Sequence, residues 1–160
     1  MRFIFLVIIL LACSFANSSD VIDSVLVIKS ENKMYLLSKG KRVKEYHVVF
    51  GANPIGHKQQ EGDERTPEGH YILDYKKPDS AFYKAIHISY PNNKDINRAR
   101  KNNVSPGGYI MIHGQKNGME GWAWLAQRFN WTNGCIAVTN AEMDEIWSLV
   151  RTDTPIEIRP

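Results

Sequence analysis

The twenty residues Trp131–Val150, WTNGCIAVTNAEMDEIWSLV, hold a turn, a short apolar run and the clearest helix in the chain. Thr139 and Glu142 have capping-box spacing, and Met143, Ile146, Trp147 and Val150 fall on one apolar stripe at helical period. A helix with one such stripe must pack on something. The surrounding sequence supplies strands for it. SVLVIK (24–29), MYLL (34–37), RVKEYHVVFG (42–51), HYILDY (70–75), KAIHISYP (84–91), YIMIHG (109–114) and TPIEIR (154–159) are short, β-rich runs, most of them bounded by turn residues. DINRARKNN (95–103) reads as a short surface helix and GWAWLAQRF (121–129) as a helical turn. The expectation is a mainly β domain, a small sandwich or barrel with one strong helix late in the chain.

Residues 1–16 read as a secretory signal peptide. Arg2 precedes an apolar run from Phe3 to Leu11, too short to span a bilayer, and Ser14-Phe15-Ala16 offers small residues for cleavage after Ala16. Leu10-Leu11-Ala12-Cys13 also resembles a lipobox, which would instead anchor the protein through a lipidated Cys13. Residues 17–160 form one expected domain, without internal repeats. Loss of Arg2 lowers the formal charge of +3 by one, which leaves no basic excess for nucleic-acid binding. A periplasmic monomer is expected.

Of the two cysteines, Cys13 is removed or capped on either reading, so Cys135 has no disulfide partner. A lone cysteine in apolar sequence is commonly an inert core residue. Against that, Gly134 permits close backbone approach, and His113 ends an apolar strand just before Gly114. His113 alone reads equally as a core or a catalytic residue. His47, His57, His70 and His87 make no HExxH or Cys/His spacing, so neither metal nor cofactor is expected, and no phosphate loop or GxSxG elbow is present. Cysteine-histidine acyl transfer is the chemistry left.

His113-Gly114 followed at a distance by Thr132-Asn133-Gly134-Cys135 resembles the histidine and Ser/Thr-x-Gly-Cys box of the L,D-transpeptidase catalytic domain family, YkuD type, enzymes of the bacterial cell wall. EGDERTPEGHYIL (61–73), SYP (89–91), SPGGYIMIHG (105–114) and CIAVTNAEMDEIWSLV (135–150) appear in family order. The resemblance implies a mixed β-sandwich and a two-step acyl transfer on peptidoglycan stem peptides. Cys135 would be the nucleophile, attacking a diaminopimelate carbonyl to form a thioester, with an amine or water as acceptor. His113 would be the proton donor and acceptor, Gly134 and Cys135 would give oxyanion N–H groups, and the Gly114 carbonyl would orient His113. Thr132, Asn133 and Tyr90 are the expected substrate contacts. Trp131 is expected to pack beneath the loop, while Trp122 and Trp124 read equally as packing residues or as an aromatic lid. Many members have histidine where this chain has Asn133 and arginine where it has Ala137, which puts substrate choice in question. A hydrolase cutting diaminopimelate links or attached lipoprotein is the alternative within the family. An outer-membrane lipoprotein would then be a substrate, or in the transfer reaction an acceptor. A wall-binding module that keeps the fold without catalysis is the alternative of another class.

Overall fold

The computed structural model describes residues 21–160; the segment read as a signal peptide, with Cys13, lies outside them. The chain opens with an antiparallel meander of β1 (Ser24–Ile28), β2 (Lys33–Ser38) and β3 (Lys41–His47). Lys39 and Gly40 join β2 to β3 with φ of 51° and 74°, the paired positive angles that match the twist of a two-residue hairpin. β4 (Gly69–Ser80) and β5 (Tyr83–Ile88) form a second antiparallel pair, followed by β6 (Met111–His113) and β7 (Ile136–Ala137), which run parallel. The last strand, β8 (Thr154–Arg159), enters the middle, parallel to β1 and antiparallel to β4. The order is β3-β2-β1-β8-β4-β5-β6-β7.

One mixed sheet therefore supplies the layers of the expected sandwich by curling on itself. Residues just past β3 make bridges to the opposite end, Val49 to Ala137 and Gly51 to Thr132. Inside the curl lies a continuous apolar core that includes Val27, Leu36, Phe50, Leu73, Ile86, Ile112 and Ile136. TPIEIR alternates buried and less buried residues along β8, as a half-covered strand requires. β4 extends well beyond 70–75, through Pro78. It tolerates proline because its ladder with β5 breaks register between Lys77 and Ser80, where no paired N–H is needed. A second break lies between Leu73 and Lys76.

Among the described residues three α-helices accompany the sheet: α1 (Asn93–Lys101), α2 (Ala123–Ala126) and α3 (Asn140–Leu149). The Thr139 hydroxyl accepts the Glu142 N–H, and the Glu142 carboxylate accepts the Thr139 N–H at 2.9 Å, which completes the capping box. Met143, Ile146 and Val150 are buried against the sheet, and Trp147 is partly so. Lys76 reaches over the Trp147 ring and donates to its carbonyl at 2.6 Å, pinning the helix end to β4.

Thr139→Ala removes the cap and is expected to cost about 1 kcal/mol. Urea denaturation should show a lower midpoint with an unchanged slope, and an unchanged midpoint would contradict this account.

Candidate active site

β6 and β7 pair with Ile112 beside Ile136 and His113 beside Ala137. Side chains alternate along a strand, so Cys135, two residues before Ala137, lies on the same sheet face as His113. Both line one cleft of about 330 Å³ with Lys77, Phe82, Tyr109 and Asn133. Ile86, Ile112 and Ile136 point the other way, into the core.

His113 is buried, with the Phe82 ring centroid 4.6 Å away and Trp131 edge-on at 5.8 Å. Its Nδ1 lies 2.7 Å from the Gly114 carbonyl oxygen. A carbonyl can only accept, so Nδ1 carries the proton and Nε2 is left as the basic nitrogen. Burial pulls the imidazole down to about 4, against a smaller upward pull from that carbonyl. The Cys135 thiol is pushed up by burial, offset in part by the Met111 backbone and the charge of Lys58. It donates to the Tyr109 carbonyl at 3.6 Å. Burial thus favours the neutral form of both groups.

The turn before Cys135 is fixed from inside. Thr132 is buried, its hydroxyl donates to the Cys135 carbonyl at 2.7 Å, and the same oxygen accepts the Gly134 N–H at 3.2 Å. Thr132, expected as a substrate contact, lines the cleft while its hydroxyl holds the turn. The Gly134 N–H, expected at the oxyanion, donates to that hydroxyl within the turn. Glycine at 134 has a steric cause. Its φ is +120°, and a Cβ there would meet the Arg65 carbonyl oxygen at 2.6 Å.

Tyr90, expected as a substrate contact, is buried, donates to the Pro106 carbonyl at 2.9 Å and packs edge-on against Tyr71. Asn133 is exposed at the cleft mouth. Ala137 is fully buried and exchanges two backbone hydrogen bonds with Val49. Trp131 packs beside His113, whereas Trp122 and Trp124 are 60% and 61% exposed.

The polar stretch 51–68 builds the wall behind the cysteine turn. Asp63 accepts Lys58 at 2.8 Å and the N–H groups of Gln59, Gln60 and Arg65. Burial pushes its carboxyl up, but these donors outweigh that and hold it below the usual range. Lys58 and Tyr109 were not singled out from sequence. The double glycine before Tyr109 marks a turn at that place, but nothing in the spacing shows that the Tyr109 carbonyl meets a sulfur.

A curled eight-stranded sheet with a thiol and an imidazole in one cleft is the architecture of a transpeptidase-type enzyme domain. The chain belongs to the L,D-transpeptidase catalytic domain family, YkuD, whose model matches residues 22–158. It is 35% identical over 107 residues to the Escherichia coli K12 protein named "Putative L,D-transpeptidase YafK", covering 66% of this chain and 36% of that one. The helical cell shape determining protein Pgp2 from Campylobacter jejuni superposes with a TM-score of 0.64 at 26% identity, over 88% of this chain and 48% of that one. An Enterococcus faecium L,D-transpeptidase shares the fold with a TM-score of 0.55 at 16% identity, over 86% of this chain and 49% of that one. The chain thus spans about a third of the curated relative and about half of these solved structures.

In the folded protein His113 is expected to stay neutral, with its proton on Nδ1, down to about pH 5. Nitrogen-15 NMR of the imidazole checks this, and titration near the ordinary 6.5 would contradict it. Between 6.5 and about 4 the unfolded chain binds the extra proton, so stability should be lost as pH falls through that window.

Proposed function

We propose that the protein is a peptidoglycan L,D-transpeptidase in which Cys135 forms a thioester with a diaminopimelate-containing stem peptide. The observation that supports this most directly is the placement of Cys135 and His113 on one face of the β6/β7 pair, in one cleft, with the Nδ1 of His113 tied to Gly114. Nε2 is then the atom that takes the thiol proton as sulfur attacks the carbonyl carbon. The S–C bond forms, the bond to the terminal D-alanine breaks, and the imidazolium returns its proton to the leaving amine. An acceptor amine then attacks the thioester, gives its proton to Nε2 and restores the thiol.

The Cys135 N–H is assigned to the developing oxyanion, and loss of one such donor typically costs a hundredfold or more in rate. Phe82 and Trp131 shield the imidazole and keep the site apolar. The periplasm is the compartment proposed, since the substrate lies there.

Purified protein incubated with disaccharide tetrapeptides and sacculi should yield new diaminopimelate-to-diaminopimelate links by mass spectrometry. Cys135→Ala should abolish them, and His113→Gln should lower the rate at least a hundredfold. Loss of existing links with no new ones would replace transfer by hydrolysis at the same thioester. A carbapenem should leave a covalent adduct on Cys135 of the folded wild-type protein, and its absence would count against an activated thiol.

A further inference from the structure

The cleft that holds Cys135 does not end at the cysteine turn. Tyr109 and Asn133, which line it, also line a second cleft of about 430 Å³, so the two are continuous. Lys58, Glu61 and Glu64 of the polar loop line this second cleft, and none of them has a part in the mechanism above.

Lys58 is 3% exposed, and its ammonium donates to the Asp63 carboxylate at 2.8 Å and to the Gln60 carbonyl at 3.1 Å. An ammonium has three N–H groups. One donor is therefore left without an acceptor among the described residues, on a buried cation that lines a cleft. A further acceptor from a ligand would complete its shell where water is scarce. The charge of Lys58 also acts on the Cys135 sulfur, where it works against burial, so cation and nucleophile share one neighbourhood. The wall beside them is built. The Ser105 hydroxyl donates to the Glu61 carboxylate at 3.0 Å, the Glu61 N–H donates to the Ser105 carbonyl at 2.8 Å, and a Cβ on Gly107 would meet the Glu61 Cα at 3.2 Å.

We propose that this second cleft holds the free end of the diaminopimelate side chain, with Lys58 donating to its carboxylate and Glu61 and Glu64 accepting from its ammonium. This rests on the stem-peptide reading above. Diaminopimelate has two amino-acid ends. One is built into the stem and supplies the carbonyl that sulfur attacks, whereas the other is free and carries an ammonium and a carboxylate on one carbon. The remaining free carboxylates of the stem, on the glutamyl residue and on D-alanine, bring no cation, so Glu61 and Glu64 would repel what Lys58 attracts. Only the zwitterionic end suits both signs. Its length fits as well: the attacked carbonyl carbon and the carbon bearing the free pair are about 6 Å apart in an extended side chain. Asn133, at the junction of the two clefts, is two residues from Cys135, with Cα atoms at most about 7 Å apart. Lys58 is thus a specificity-determining residue, and it selects diaminopimelate by the group that distinguishes it from lysine.

The test measures binding to the Cys135→Ala protein, which needs no turnover. The probes are stem tetrapeptides capped at the N-terminus. One contains diaminopimelate, one has L-lysine in its place and so keeps the side-chain ammonium without the carboxylate, and one has diaminopimelate with its free amine acetylated. Each altered peptide should bind about tenfold or more weakly, the ordinary worth of a charge-assisted hydrogen bond. Lys58→Gln in the same background should remove the preference for diaminopimelate over lysine, and Lys58→Arg, which keeps the cation, should retain part of it. Glu61→Gln combined with Glu64→Gln should remove the penalty of acetylation. Equal binding of the diaminopimelate and lysine peptides to the Cys135→Ala protein overturns the assignment, whether or not the Lys58 variants fold. So does a preference for diaminopimelate that survives Lys58→Gln, because a purely structural lysine would weaken both peptides alike and leave their ratio unchanged. Failure of the catalytic reading would show separately, as wild-type protein that binds the diaminopimelate tetrapeptide and releases no D-alanine from it.

Discussion

Three stretches of backbone meet behind the cysteine with no room for a side chain between them. A Cβ on Gly51 would lie 1.9 Å from the Glu64 carbonyl oxygen and 3.0 Å from the Cα of Gly134, and one on Gly134 would strike the Arg65 carbonyl. The junction joins the end of the first meander, the polar loop and the cysteine turn. Everything at the site depends on it, because β7 has only two residues and could not hold its own register. The bridges from Val49 and Gly51 and the internal hydrogen bonds of Thr132 convert a short strand into a rigid mount.

This arrangement explains the character of the loop at 51–68. It is polar and rich in turns, yet Lys58, Asp63 and Glu68 are turned inward onto ion-pair partners. Lys58 is 3% exposed and pairs with Asp63, while Lys29, also buried, pairs with Glu68 at 2.8 Å and donates to the Gly56 carbonyl. Removing one partner of such a pair would leave a buried charge uncompensated, so the segment keeps its shape as a unit. His57, Asp95 and Arg98 tie the loop to α1 in the same way.

Much of this was legible in the residues. TPIEIR is β8 to the residue, and Thr139 with Glu142 marks the start of α3, because alternation and capping are local properties. The Gly-Cys turn and the histidine-ending strand were legible as motifs. What sequence could not disclose was who bonds to whom. Thr132 and Tyr90 carry hydroxyls suited to a substrate, but the cysteine turn itself engages the first and the Pro106 carbonyl the second. The extension of β4 through Pro78 was hidden for a related reason, since proline forbids a strand only where the ladder stays in register.

The place of β8 has a consequence for how the sheet comes into being. Its neighbours, β1 and β4, lie far earlier in the chain and are joined in the sheet through it. Until residues 154–159 are in place, the sheet between the first meander and the half that carries Cys135 is open on this side, although Val49 and Gly51 bridge the two at the other. A topology whose middle arrives last has high contact order and folds slowly. Until that strand inserts, the edges of β1 and β4 stay open.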